Sequence, residues 1–508
     1  MKSWRVFTYP KYGFRFSQEV IMEKKLVYDI HDKPKFGQML VFALQQVLAI
    51  LAATIAVPTI IGLPTEIPAA ILGAGIGTLV YQLFTKFKSP VFLGSSFAFL
   101  SSLGVALAYG YCGIVLGSIV AGFVYVVIAA IIHFTGTSWV DKLMPPVIIG
   151  PTVALIGLTL AVNAMGDIVT ANASTLYKGY NLVALFCGLV AFFVIIICST
   201  QKRYKMARLI PFIIGIAAGY AVAAVFTFIG ILCDIDYFMI VNFQPLVDNF
   251  VNADGSFRGL SAFIDYPHVA IVEAIKEIAS GNMSPEVLAA NPDATLLNAG
   301  GVAEVIIAFL PVALVVFAEH IADHKNLSSI IDRDLIKDPG LKRTLLGDGV
   351  GSIAGTVFGI CPNTTYGESV GCVAITRNAS VATITTTAFM CIVLSFISPI
   401  MTLLQTIPSC VMGGVCLTLY GFIAVSGLKM FKDLDLNESK NLFVVAAILI
   451  AGIGGLAINI PYAIDETGVI TGNIKITSIA TALIIGIITN VVLTKIENSK
   501  LGKEKEDK

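Results

Sequence analysis

Charge is what this chain has least of. Across 508 residues only 13% are Asp, Glu, Lys or Arg, against 56% hydrophobic residues, and the mean hydropathy is +0.86. A water-soluble chain of this length would need far more polar surface, so the composition excludes soluble domains and points to a polytopic membrane protein. Metal-binding spacing is missing as well. The nine cysteines are scattered, mostly in apolar runs, without CxxC or CxxxC spacing, and read as small apolar core residues. His320-Ile321-Ala322-Asp323-His324 places two histidines at i, i+4, but it lacks the His-Glu-x-x-His order of a zinc protease helix and a third ligand cluster, so no metal is expected. Residues 1–37 carry eight Lys and Arg and no apolar core, so no cleavable signal peptide is expected and the first span itself would direct insertion. A formal net charge of zero gives no sign of a nucleic-acid partner, and none is expected.

Long apolar runs are what the chain does have. They fall at about 38–58, 69–85, 90–108, 112–134, 146–166, 180–199, 208–232, 300–322, 345–360, 366–382, 383–404, 408–428, 440–458 and 475–494, taking roughly 20 residues as one crossing. Fourteen spans put 29 of the 33 Lys and Arg on one side and only Lys178, Arg258, Lys276 and Lys475 on the other, a bias that one miscounted span would destroy. Both termini are therefore expected in the cytoplasm, flanking a multi-pass protein of the plasma (inner) membrane. The acidic connection 233–299 separates seven spans from seven, and an odd number per half requires the halves to be inverted relative to each other. The expected fold is an all-α polytopic membrane protein of 14 transmembrane segments in two inverted 7-span repeats. Residues 269–280 of the connection could form a surface helix.

Two of the segments break the rule that the others obey. Gly94-Ser95-Ser96 interrupts the third, and Pro362-Asn363-Thr364-Thr365-Tyr366-Gly367-Glu368 interrupts the tenth. In hydrocarbon every backbone polar group must be paired, so such interruptions survive only where they are buried in protein or line a wet cavity. Broken segments at corresponding positions of two halves point to a site near the bilayer midplane. Glu319 lies inside the eighth apolar run, where a carboxylate is costly enough to make function the default reading.

At these residues the sequence resembles the nucleobase–ascorbate transporter family, most closely its uracil-permease branch. The resemblance rests on Leu44-Gln45-Gln46, Gly94-Ser95-Ser96-Phe97-Ala98-Phe99, Ala318-Glu319-His320, Asp338-Pro339-Gly340-Leu341, Pro362 to Glu368, Gly371, Thr376-Arg377, Pro408 and Met412-Gly413-Gly414, in that order over about 38–495. It implies short antiparallel strands at broken spans 3 and 10, a homodimer in the lipid bilayer, and proton-coupled uptake. The implied division is a cytoplasmic segment 1–37, a core domain from 38–135 (spans 1–4) and 300–404 (spans 8–11), and a gate domain from 146–232 (spans 5–7) and 408–495 (spans 12–14). An external insert 233–299 and a tail 496–508 complete it. Position by position, it implies that Glu319 and Glu368 hold the base, that Phe97 and the Tyr366–Gly367 backbone pair with or pack on it, and that Ala53 and Tyr420 line the pocket. Three positions depart from the uracil-permease pattern: Gln46 stands where a His is expected, Asp323 replaces a His one turn after Glu319, and Ser369 replaces an Asn. Glu319 and Asp323 at i, i+4, together with Asp348, look more like the xanthine branch.

The residues suit that chemistry on their own terms. A nucleobase presents N–H donors and carbonyl acceptors around a flat ring. Carboxylates can accept from the N–H groups, backbone N–H groups at a helix start can donate to the carbonyls, and an aromatic face can cover the ring. Coupling to protons needs a group whose protonation differs between the empty and loaded states, with Glu319 the first candidate and Asp323 and Asp348 next. The expected function is symport of a nucleobase, uracil first, with H+ into the cell. No cofactor is expected beyond the proton gradient, and no enzymatic reaction. The alternatives are a purine permease for xanthine or urate, an intramembrane hydrolase built on the His/Asp/Glu cluster, and a passive channel.

Overall fold

A computed structural model describes residues 26–171, 179–252, 254–464 and 470–506. The first 25 residues of the N-terminal segment and the last two of the tail lie outside it. Among the described residues nine helices are long and apolar enough to cross a membrane, and three shorter apolar helices accompany them. The chain is mostly helical, and a helix pairs its backbone polar groups internally where it meets lipid.

The first half runs α1 (Phe36–Ile60), α2 (Ile67–Phe84), β1 (Leu93–Ser95), α3 (Leu100–Leu107), α4 (Gly110–Thr135), α5 (Ser138–Leu143), α6 (Pro146–Asp167), α7 (Leu182–Thr200), α8 (Lys205–Leu209) and α9 (Pro211–Cys233). Then follow α10 (Gln244–Phe250), α11 (Ala270–Ser280) and α12 (Pro285–Ala290) in the long connection. The second half runs α13 (Ala299–Ile331), α14 (Leu341–Phe358), β2 (Asn363–Thr365), α15 (Gly367–Thr376), α16 (Val381–Leu394), α17 (Ser398–Gln405), α18 (Ser409–Lys429) and α19 (Ser439–Ile453). It ends with β3 (Ile458–Ile464), β4 (Ile470–Ile476) and α20 (Ser478–Glu506). Proline opens α6 and α9, where its missing N–H costs nothing. The Asn181 and Asn298 side chains cap α7 and α13 by accepting from N–H groups of their first turns. The eighth apolar run extends nine residues further than its hydropathy suggests. The polar turn after Ala322 stays helical because Asp323, His324 and Leu327 are buried against other helices.

Packing gathers the helices into two sets. One contains α1, α2, α4, α13, α14 and α16, with α2 and α4 against α14 and α4 against α13. The other contains α6, α7, α9, α18, α19 and α20, with α18 against α6 and α7. Small residues permit the closest approaches. A Cβ built on Gly73 of α2 would sit 2.1 Å from the carbonyl oxygen of Gly355 on α14, and one on Gly427 of α18 would sit 2.3 Å from the backbone nitrogen of Ala154. With no hydrophobic drive between helices in lipid, such contacts are how they associate. We expect Gly73→Ala to push α2 off α14 and to cost about 1–3 kcal/mol, read as a lowered melting temperature in detergent.

The long connection is attached at both ends. Asn181 and Thr227 bond its first residues: the Asn181 amide donates to the Tyr237 carbonyl, and the Thr227 hydroxyl accepts from the N–H groups of Ile240 and Val241. Beyond Gln244 it docks on the other helix set. The helix read from residues 269–280 forms as α11 and packs on α4, where buried Glu277 accepts from the Tyr111 N–H. His268 Nδ1 lies 2.9 Å from Oε1 of buried Glu66, which also accepts from the Tyr111 hydroxyl. That bond pushes the His268 imidazole up to about 9. A group held above its ordinary value of about 6.5 stabilises the fold fully below that pH and ceases to do so as pH rises through about 9. We expect the wild-type melting temperature to fall between pH 7 and 9.5 by more than that of His268→Gln. The difference should correspond to no more than about 1 kcal/mol, because the His268 side chain is 47% exposed and screened by water.

Candidate functional site

The two interrupted segments meet. β1 and β2 pair antiparallel in the register Leu93 with Thr365, Gly94 with Thr364 and Ser95 with Asn363. The ladder is extended by Ser96 N–H to the Pro362 carbonyl and Tyr366 N–H to the Phe92 carbonyl. The groups that the ladder leaves over find partners on the surrounding helices. The Thr78 hydroxyl serves Leu93, the Ser352 hydroxyl accepts from Asn363 N–H, and the Asn363 amide donates to the Gly73 carbonyl. This is the internal satisfaction that non-helical backbone requires at membrane depth. Gly94 is obligatory, since a Cβ there would meet the Tyr366 ring at 2.3 Å. The Tyr366 hydroxyl donates to the Ser95 carbonyl, so its side chain staples the strands and its contribution to a bound molecule would come from its backbone.

Each strand runs into a short helical segment, a turn at Phe97–Phe99 leading into α3 after β1 and α15 at Gly367 after β2. Glu368 is the second residue of α15, beside the unpaired N–H groups of the first turn. Glu319 lies on α13, which packs against α15 and β2. Glu319 and Glu368 are half-buried and Gly367 is exposed, although Ala318, His320, Tyr366 and Ser369 around them are buried. Glu319 Oε2, Ser96 Oγ and Thr364 Oγ1 are buried without a hydrogen-bond partner among the described residues, which marks them as groups with capacity to spare. Phe97 meets Tyr420 of α18 edge to face, with centroids 5.4 Å apart at 88°, so the two helix sets touch through an aromatic pair at the turn that follows β1. Ala53 is fully buried on α1, which packs on β1, α15 and α18.

Each of the remaining acids has one oxygen held by a partner in the protein, while Asp348 Oδ1, like Glu319 Oε2, has none among the described residues. Asp323 is buried, and Oδ2 accepts from the Thr365 hydroxyl at 2.6 Å. Asp348 lies in the middle of α14, fully buried, with Oδ2 2.6 Å from His320 Nδ1. Arg377 caps the end of α15, and its carbonyl accepts from Val27 N–H. Sequence reasoning did not find these pairings. One more was half visible: Gln46 and Ser369, two of the three departures from the family pattern, are buried and hydrogen-bonded to each other across α1 and α15.

Comparison with known proteins supplies the setting for this geometry. Residues 37–460 match the family described as "Permease family". The chain is 35% identical to the uracil permease of Bacillus caldolyticus, over 92% of this chain and 95% of that one. It is likewise 35% identical to the uracil permease of Bacillus subtilis (strain 168), over 93% and 96%. Among solved structures it superposes on the murine Solute Carrier 26 family member A9 anion transporter in the inward-facing state with a TM-score of 0.59. That match has 10% identity and covers 92% of this chain and 70% of that one, which is a likeness of fold alone.

Proposed function

This chain belongs to the permease family, whose members are transporters and not enzymes, and we propose that it carries uracil into the cell together with a proton by alternating access. The observation that supports the reading is that α13, which bears Glu319, packs against α15, which opens with Gly367 and Glu368 directly after the β1–β2 pair, while Phe97 after β1 meets Tyr420. Uracil offers two ring N–H groups and two carbonyls. Glu319 and Glu368 accept from the former, the N–H groups of Gly367 and of the Phe97 turn donate to the latter, and Phe97 covers one face. Ala53 and Tyr420 close the pocket from α1 and α18.

In this reading the chain makes fourteen membrane segments in two inverted sevens, with α3 and α15 as half-crossings, both termini cytoplasmic, and the end at which Lys88 pairs with Asp338 at 2.9 Å facing the cytoplasm of the plasma (inner) membrane. The helix set around α2, α4, α13 and α14 is the core that carries the base. The set around α6, α7 and α18 is the gate against which it moves, and two such chains form a homodimer. Glu319 carries the proton, with Asp323 and Asp348 as its neighbours.

A purine permease for xanthine or urate is the competing reading, and it draws on Asp323 and Asp348. Asp323 Oδ2 is held by Thr365 and Asp348 Oδ2 by His320, while Asp348 Oδ1 has no partner among the described residues, so competition between the two bases decides between the readings. The test is labelled uracil uptake into proteoliposomes with and without a protonophore, competed by unlabelled uracil and xanthine. Saturable, protonophore-sensitive uptake displaced by uracil is expected. Uptake displaced by xanthine alone would assign a purine, and unsaturable flux indifferent to protonophore would make the protein a channel.

A further inference from the structure

The long connection carries a helix whose sides are arranged the wrong way round for a helix in water. α11 divides into three sectors. Ala270, Ala274 and Glu277 recur at i, i+4 and i+7, are buried, and face the protein. Val272, Ile275 and Ile278 follow at i, i+3 and i+6 and are exposed, Ile278 to 70%. On the remaining flank Lys276 donates to Glu273 at 2.8 Å. A surface helix of a soluble domain turns its large apolar side chains inward and its charges outward. Here small residues and a carboxylate face inward, and the large apolar side chains point away from the rest of the described protein.

Where α11 lies decides what meets that stripe. The Ala270 N–H donates to the carbonyl of Gly359, just past the end of α14, and Glu277 accepts from the N–H of Tyr111, the second residue of α4. Seven residues of helix rise about 10 Å, which matches the separation of two packed helices, so α11 runs across the ends of α14 and α4 rather than along them. α4 has 26 residues and is about 39 Å long, against a hydrocarbon core of about 30 Å, so its first turn reaches the headgroup region. Cys112 in that turn donates through Sγ to the Ala274 carbonyl. It shares a face of α4 with Ile119 and Phe123, at i+7 and i+11, both exposed on a helix long and apolar enough to cross the membrane. α11 therefore sits at the end of an apolar stripe that meets lipid.

We propose that α11 is an interfacial helix: it lies in the plane of the membrane surface at the start of α4, with Val272, Ile275 and Ile278 at the boundary of headgroups and acyl chains and the Glu273–Lys276 pair turned to water. Lipid is the occupant because the stripe continues a face of α4 that already meets lipid, and because an apolar side flanked by charges is what holds a helix in that boundary. With 11 residues, α11 is too short to cross. Glu277 fixes it in place, since its carboxylate accepts from the Tyr111 N–H through Oε2 and from the Ser284 N–H through Oε1. The connection 233–299 thus acquires a contact with the bilayer, and the helix set around α4 and α14 is held at the membrane surface by it. The inference stands apart from which molecule the permease carries.

The test uses the full chain in phospholipid nanodiscs, with Ile275→Trp, Ile278→Trp and Lys276→Trp each compared with the wild type, whose own tryptophans are Trp4 and Trp139. All three positions are exposed, so the larger ring displaces nothing in the core. The emission that each substitution adds is read with phospholipid brominated near the headgroup end of its acyl chains and, separately, with iodide in the water. Brominated lipid is expected to remove at least about half of the emission added in the two isoleucine variants, as fits a helix face buried about 5–10 Å into the boundary. The emission added in Lys276→Trp should instead yield to iodide. Quenching of all three variants by iodide and of none by lipid would make α11 a solvated helix and overturn the proposal. Protection of the isoleucine variants from both quenchers would give the stripe to a second copy of this chain and count equally against it.

Discussion

Glu368→Ala is expected to fold normally and to show no thermal shift with uracil at concentrations that saturate the wild type. The residue is the second of α15, half-buried, and its carboxylate has no ion-pair partner among the described residues. Removing an acid near a helix start costs about 0.3–1 kcal/mol at such a position, which a folded protein tolerates. Binding is another matter. A hydrogen bond from a base N–H to a carboxylate contributes about 1.5–3 kcal/mol, and truncation leaves that N–H buried without a partner. With one such bond lost and its donor stranded, about 3–5 kcal/mol disappears, which raises Kd roughly 10²–10⁴-fold. Glu368→Gln keeps an acceptor oxygen but not the charge and should fall between. An unaltered thermal shift in the alanine variant would mean that Glu368 caps its helix and nothing more.

That prediction was open to sequence reasoning because the signal was local. Pro362 to Glu368 and Gly94 to Ser96 put polar residues into runs where hydrocarbon forbids them, and the cost of a carboxylate at Glu319 made it conspicuous without any knowledge of its neighbours. The partners of the buried groups were not legible. Thr365 and Asp323 are 42 residues apart, Asp348 and His320 28, Tyr81 and His324 243, and Gln46 and Ser369 323. Which of them meet is decided by how α1, α2, α13 and α14 are rotated against one another, and the pattern of apolar residues along helices buried on most sides carries little of that information. The hairpin of β3 and β4 was overlooked for a different reason. Ile458 and Ile460, then Ile470, Ile474 and Ile476, fall at even spacings, but the first strand starts at the end of the apolar run 440–458 and the second ends at the start of the run 475–494, whose hydropathy masked both.

The second large effect is expected at Glu319. In Glu319→Gln, uracil still exchanges across the membrane but no longer accumulates against its gradient. A proton moving with the base through 100 mV contributes about 2.3 kcal/mol, enough for roughly 50-fold accumulation. An amide does not titrate, so that ratio should fall to about 1. Exchange between labelled and unlabelled base requires no net proton movement and should continue, with affinity lowered by about 1.5–3 kcal/mol for the lost charge. The contrast with Asp323→Asn separates the two acids. Asp323 accepts from Thr365 at the edge of β2, and its amide variant can accept the same bond through its carbonyl oxygen, so accumulation should persist there at a reduced rate. If Asp323→Asn loses accumulation and Glu319→Gln keeps it, the proton rides on the acid fixed by Thr365, and Glu319 is left with the base alone.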